Sequence, residues 1–388
     1  MSKCLYITES YVARFSGSRL MNRGFCDVLG RIFDKDNYDV MVLSSIDTGD
    51  KYPDNFTLLR TNRDVRSFIR GYSAELDLAA VDMIIKKIST ENYDFVFISH
   101  NTLGRLTKRI KNAFPGIRIC TYYPGILVYH HKYADHYEVT YGGLKTKIKR
   151  FYKIHNEKIS NQYTDAILLL NERDEKNLKK YYESVDISKV FFCPIFMKDR
   201  YNDTDGRDNP FVSSRYNILF IGTYFGPNVH GIKWFCSEVL PELGEAVQLT
   251  VIGSEMSALK SEIDNFNVTF YDFIEDLNPY YIHADLVIEP IFYGDGMKTK
   301  TAEALMYGKT VVGTTEAFCG YDSGAGFICN TKEEFVDTVR RLMADDNPKY
   351  SKKYREIYLR DHSYEAAVRN IKKVLEYLRI NCELEMRQ

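Results

Sequence analysis

At 388 residues the chain is long enough for two or three domains, each able to bury a core without disulfides or metals. A composition of 45% hydrophobic and 27% charged residues excludes a disordered chain, a collagen-like repeat and a coiled-coil rod. With 52 Lys and Arg against 53 Asp and Glu the net charge is −1, so no global field gathers nucleic acid and any bound anion must be held locally.

Short β-type runs alternate with longer helical patterns, which predicts parallel sheets flanked by helices, an α/β fold. In the first half the runs predict strands at 3–8, 38–43, 94–99, 117–122, 165–170 and 190–193 and helices at 18–33, 73–89, 102–113, 144–162 and 172–182. The opening run Lys3 to Thr8 lacks a basic n-region, a long apolar core and a cleavage signal. No stretch reaches the ~18 apolar residues of a membrane span. From 196 to 215 the chain turns polar, with Lys198, Asp199, Arg200, Asn202, Asp203, Asp205, Arg207, Asp208 and Pro210, and reads as an interdomain linker over 196–214.

A second series follows, with strands at 217–221, 248–252, 267–271, 285–289, 310–313 and 326–329 and helices at 228–242, 255–264, 276–283, 298–307, 332–343 and 364–381. Two doubly wound, Rossmann-like domains, 1–195 and 215–365, are expected to face each other across a cleft at the carboxyl ends of their strands. The eight cysteines are scattered without a CxxC pair, so neither a zinc site nor a disulfide framework is indicated and a reduced cytoplasm is the expected home.

The densest signal runs from Glu289-Pro290 through Gly294-Asp295-Gly296-Met297-Lys298-Thr299-Lys300 to Glu303-Ala304-Leu305-Met306-Tyr307-Gly308. A strand ends, a glycine loop follows, and a helix starts near Lys298 and stops at Gly308. A helix N-terminus carries about half a positive charge on open N–H groups, and Lys298 and Lys300 add to it, which suits a diphosphate. Asp295 and Glu303 offer carboxylate oxygens to the paired hydroxyls of a sugar or ribose. Carboxylates beside a phosphate site suggest a nucleotide sugar.

The spacing Asp295-x7-Glu303, with its glycine loop before and Val311-Val312 after, resembles the E-x7-E signature of retaining glycosyltransferases of family 4 with the GT-B fold, among them bacterial surface-polysaccharide enzymes. The likeness extends over Phe220-Ile221-Gly222-Thr223, Leu249 to Gly253, Phe273-Ile274-Glu275-Asp276-Leu277 and the run from Tyr281 to Pro290. It is fainter in the first half, at Ser16-Gly17-Ser18, Ser99-His100-Asn101 and Leu170 to Asp174.

This resemblance implies that Asp295 stands where the family's first glutamate touches the sugar, one methylene shorter, and that Glu303 holds the ribose. It implies nucleotide-sugar contacts from Gly17, Gly222, Thr223, Gly294, Gly296 and Met297, a base facing the backbone at Phe273 and Ile274, and His100 as a catalytic histidine near the reacting carbon. Family members often carry Arg and Lys after the first strand of the second domain. Here only Lys233 is present in that loop, so the phosphate role moves to Lys298 and Lys300. The resemblance further implies hexose transfer with retention, no cofactor and no obligatory metal, a glycan or lipid-linked acceptor bound by domain 1–195, a role in surface polysaccharide, and a final helix, 366–388, packing back on the first domain. Rival readings are an inverting transferase or nucleotide-sugar epimerase of the same fold, and a catalytically silent binding subunit.

Two further features stand apart. His130 and His131 could line an acceptor pocket or a surface loop. The segment 145–158 would set Leu144, Ile148, Phe151 and Ile154 on one helix side with basic residues opposite, a pattern shared by solvated helices and by helices that dock on anionic membrane, here the inner face.

Overall fold

The computed structural model describes residues 2–9, 17–45, 53–62, 66–67, 70–72, 76–129, 143–202, 208–211, 215–263, 265–345 and 347–382. Two units divide the chain: unit 1 holds Met1–Pro194 and Tyr364–Gln388, and unit 2 holds Ile195–Ser363.

Continuous apolar runs become strands covered on both faces. In unit 1 these are Cys4–Glu9 (β1), Tyr38–Ser44 (β2), Phe56–Arg60 (β3), Phe95–Ile98 (β4), Arg118–Tyr123 (β5), Ala166–Leu169 (β6) and Val190–Phe192 (β7). They form one parallel sheet in the order β3-β2-β1-β4-β5-β6-β7. Every residue of β1 is buried, and Leu5, Ile7, Val96 and Ile98 share a core with Ile84 and Leu106 from helices Leu78–Glu91 and Gly104–Ala113. Burying each such Leu or Ile is worth about 1.5–3 kcal/mol, which fixes the strand register around β1. Helix Tyr364–Leu378 packs in this unit: the Tyr364 hydroxyl donates to Asp27 at 2.9 Å, and Tyr377 lies 5.1 Å from Phe191.

Unit 2 repeats the winding with Tyr216–Ile221 (β8), Val247–Ile252 (β9), Val268–Tyr271 (β10), Leu286–Glu289 (β11), Val311–Gly313 (β12) and Phe327–Ile328 (β13), ordered β10-β9-β8-β11-β12-β13. In each sheet the winding reverses beside the first strand, between β1 and β4 and between β8 and β11. A crevice opens at the carboxyl ends there.

Several elements differ from expectation. Strand β3 has only Leu59 buried, so this edge strand shows no apolar run to read. The helix expected over 73–89 begins at Leu78, capped by Asp77, which accepts the Ala80 N–H at 2.8 Å. The helix expected over 228–242 is Gly226–Trp234 followed by a π turn, Phe235–Val239, because Pro241 has no N–H to continue the ladder. Of the helix expected over 255–264, the described residues form a 3₁₀ segment, Met256–Ser261, and Lys352–Ile357 is a helix whose polar composition hid it.

The expected linker is corrected at its start. Ile195, Phe196 and Met197 are buried, and the Met197 N–H donates to the His362 carbonyl at 3.0 Å. Asp199 is gripped by both terminal nitrogens of Arg355, and Tyr201 stacks on Tyr350 at 5.3 Å. A polar run packs when its charges find partners, and these residues belong to unit 2.

Candidate active site

Strand β11 ends at Glu289 and the loop through Gly296, at φ +59°, turns into helix Thr299–Met306. Gly308 ends that helix at φ +62°, a left-handed conformation where a Cβ would also meet the Tyr350 ring at 2.8 Å. Asp295 accepts the Gly296 N–H at 2.9 Å through one carboxylate oxygen, which fixes the loop.

Both lysines have protein partners. Lys298 donates to Glu316 at 2.7 Å and to the carbonyls of Asp295 and Gly296 at 3.3 and 3.2 Å. Lys300 donates to the Asn228 side-chain carbonyl at 2.7 Å and lies 4.4 Å from the Phe220 ring centroid. Asn228 in turn donates to the Thr223 carbonyl at 2.9 Å, so one amide ties the loop after β8, with Gly222 and Thr223, to the lysine helix. Beneath them Glu289 is fully buried. One of its oxygens takes the Thr301 hydroxyl at 2.7 Å, and the other has no partner among the described residues. Burial pushes the Glu289 carboxyl up and the Lys300 ammonium down, while each charge holds the other ionised.

The helix tip is less open than its sequence suggests. The Tyr321 hydroxyl donates to the Lys298 carbonyl at 2.5 Å and takes the Ala302 N–H at 3.1 Å. Among the described residues the N–H groups of Thr299 and Lys300 remain for an anion. Glu303 is held on both oxygens: one takes the Arg200 guanidinium, and the other accepts the Tyr281 hydroxyl at 3.0 Å. Tyr281 is fully buried and stacks on Tyr307 at 4.6 Å and 5°.

The structure thus brings Asp295, Gly296, Lys298, Lys300 and Glu303 onto one loop and helix beside Gly222 and Thr223. Phe273, 63% exposed, and Ile274 lie just after β10, and Gly294 lies in the glycine loop, whereas the Met297 side chain turns into the core. Lys233 is engaged by Glu262. Sequence reasoning missed Arg200, Tyr281, Glu316 and Tyr321. No spacing signals them, since each reaches the helix from 18 to 103 residues away.

In unit 1, Gly17 opens helix Gly17–Ile32. His100 follows β4, caps the turn Asn101–Leu103 and accepts the Thr102 N–H on Nδ1 at 3.2 Å, with the Glu9 carboxylate 3.8 Å away. Burial, helped by the Lys153 charge, lowers the imidazole pKa to about 4. A neutral ring whose Nδ1 accepts carries its proton on Nε2, so His100 offers a donor N–H rather than a base. Farther along, Ile148 and Phe151 are exposed on helix Gly143–Tyr163. His130, His131 and the side chains of Leu144, Lys145 and Thr146 lie outside the described residues. Among the described residues no helix is long and apolar enough to cross a membrane.

Residues 215–345 match the family model for glycosyl transferases group 1. No curated protein matches the chain. Among solved structures, sucrose-phosphate synthase from Thermosynechococcus elongatus is similar at a TM-score of 0.74 and 14% identity, over 98% of this chain and 99% of that one. The HepE protein of Anabaena, in complex with UDP and glucose, is similar at 0.69 and 11%, over 97% and 100%. WaaG, a glycosyltransferase involved in lipopolysaccharide biosynthesis, is similar at 0.63 and 15%, over 97% and 99%. The two sheets and their winding are those of the GT-B fold.

Proposed function

We propose that this glycosyltransferase, built on the GT-B fold, binds a nucleoside diphosphate sugar at the β8–β11 crevice of unit 2 and passes the sugar, a hexose, to a hydroxyl of a glycan or lipid-linked acceptor with retention of configuration. The observation that carries the reading is the convergence of Lys298, Lys300, the helix tip and Glu303 on one loop and helix, which Asn228 ties through Lys300 to the loop after β8.

Each part has a task. The N–H groups of Thr299 and Lys300, with the Lys300 ammonium, face the diphosphate and stabilise the charge that grows on it as the glycosidic bond breaks. No metal is required in this reading, because cationic side chains and amides meet that charge. Glu303 accepts the ribose hydroxyls and Asp295 those of the sugar. His100, from unit 1, donates Nε2–H and does not remove a proton. A diphosphate brought near Lys300 favours its protonated form, so binding strengthens the charge that burial weakens.

UDP-glucose, bound in one HepE structure, is the first sugar donor to test. A thermal-shift panel of UDP, GDP, ADP, CMP and dTDP is expected to give one clear stabilisation, near 2.7 kcal/mol at about 100 times Kd. No shift with any of them refutes the site. NMR of the product's anomeric carbon then separates retention from inversion, and donor hydrolysis without acceptor separates an enzyme from a silent subunit.

A cytoplasmic location at the inner membrane face, with surface polysaccharide as the product, completes the proposal. It is supported by Phe151, 65% exposed, and Ile148 among Lys147, Lys149 and Lys153 on one helix. Cosedimentation with anionic liposomes at low salt, lost at high salt, is expected. No binding at low salt ends this part.

A further inference from the structure

Three arrangements stand outside the proposed mechanism: the buried Glu9 beside His100, the His362 ring against Tyr321, and Arg200 on Glu303. The last is the most completely built. Glu303 is engaged on both oxygens, by a guanidinium and by a phenol, before any ligand arrives. Each holder is itself braced. Tyr281 is fully buried and stacked on Tyr307, while Arg200 sits between Asp199, clamped by Arg355, and Tyr201, stacked on Tyr350, and its own N–H reaches the Met306 sulfur at 3.4 Å. The Arg200 side chain remains 44% exposed and that of Glu303 16%, so the pair is partly open to solvent.

We propose that Arg200 is a positioning residue of the sugar-donor site, locking the Glu303 carboxylate so that it reads the 2′ and 3′ hydroxyls of a ribose, which makes the enzyme select ribonucleotide over 2′-deoxyribonucleotide sugar donors. A carboxylate oxygen has two acceptor directions, and a partner occupying one leaves the other aimed in a fixed direction. With both oxygens pinned, one acceptor direction remains on each, enough for the two hydroxyls of a cis diol; a 2′-deoxyribose fills only one of them. An unpinned glutamate would rotate and lose that discrimination, because holding it then costs side-chain entropy on binding. The guanidinium fork suits this better than an ammonium, since its planar geometry sets the carboxylate plane as well as its charge.

The inference rests on the donor-site reading above, and the test separates the two. Dissociation constants are measured by calorimetry for the ribo and 2′-deoxy forms of UDP, GDP and ADP, on the wild type, Arg200→Ala, Arg200→Lys and Tyr281→Phe. For the base it accepts, the wild type is expected to favour the ribo form by about tenfold or more, the scale of one hydrogen bond to a charged group. In Arg200→Ala that preference falls to within about threefold, because the ribo form, which uses both aligned acceptors, loses more affinity than the 2′-deoxy form, which uses one. Arg200→Lys and Tyr281→Phe retain part of it. With UDP-glucose or the matching donor, KM rises in Arg200→Ala and kcat at saturation stays within about threefold, a split expected of an interaction equal in ground and transition states. An unchanged ribo preference in Arg200→Ala, or equal binding of both forms by the wild type, overturns the role of Arg200 and leaves the site standing. No binding of any diphosphate by the wild type overturns both.

Discussion

The strand-end crevices of the two units share one winding and differ in chemistry. In unit 1 the crevice between β1 and β4 holds His100, kept neutral by burial, and Glu9, whose second carboxylate oxygen has no partner among the described residues. In unit 2 the crevice between β8 and β11 holds two lysines and several carboxylates, with Lys298 on Glu316, Lys300 on Asn228 and Glu303 on Arg200. The fold therefore supplies an address and not a function. A neutral donor ring adds no charge to attract an anion, whereas Lys300 and the open amides of the helix tip do, and the family match falls on residues 215–345.

The largest effect should come from breaking the cationic crevice. Lys300→Ala is expected to lower turnover of the folded protein by at least ~10²-fold, the size of losing one preorganised electrostatic contact, and also to lower stability, because the charge that sustains buried Glu289 is gone. Full activity would erase the contrast between the crevices. The matched change in unit 1 is more selective. His100→Ala should cost about 10²-fold, whereas His100→Gln, whose amide returns an N–H, should stay within about tenfold. Equal loss in both variants would show that the ring acts by something other than its Nε2–H. The lowered imidazole pKa of about 4 also means that no activity step appears between pH 6 and 7 from this residue.

Titration gives the next effect. Lys300 is held down to about 8 by burial, and a diphosphate binds its charged form better. Below that pH the proton is already in place and affinity is flat with respect to this group. Above it, binding must take up a proton, so affinity should fall by up to about tenfold per pH unit. Calorimetry in buffers of different ionisation heat would show that uptake. Glu289→Gln removes the negative charge that sustains the ammonium, so the fall should begin at lower pH. A profile unchanged in that variant would dissociate the buried pair.

Much of this architecture could be read from the residues. The near-continuous apolar runs of β1, β4, β8 and β11 announce buried parallel strands, and the glycine loop with Lys298, Lys300 and Glu303 lies on one short segment whose helix stop at Gly308 follows from local backbone preference. What stayed hidden depends on long-range pairing. Asp199 and Arg200 read as solvated linker because nothing in the segment reveals Arg355, Glu303 or Tyr350 waiting far along the chain. Strand β3 was hidden for the opposite reason, since an edge strand with a single buried side chain leaves no pattern. The helix tip is more closed than its sequence predicts because a tyrosine from a distant loop supplies the missing cap.

That tyrosine offers the smallest and most discriminating comparison. Tyr321→Phe strands the Lys298 carbonyl and the Ala302 N–H, which costs about 1–3 kcal/mol for buried groups left unpaired. Tyr182→Phe in unit 1 removes the phenol that donates to Glu157, a fully buried carboxylate that keeps Asn101 at 2.7 Å and the Leu127 N–H at 2.9 Å, and should cost a similar amount. Denaturation would place the two variants together. Nucleotide binding should part them, because only Tyr321 caps the helix tip to which the proposed function assigns the diphosphate. Its loss should weaken binding of the accepted nucleoside diphosphate severalfold, while Tyr182→Phe leaves that affinity alone. If both variants bound the nucleotide as the wild type does, Tyr321 would be a structural cap with no part in the site. If both weakened it equally, the effect would be general destabilisation, and the distinction between a binding crevice in unit 2 and a scaffold carboxylate in unit 1 would fail where it is most directly measured.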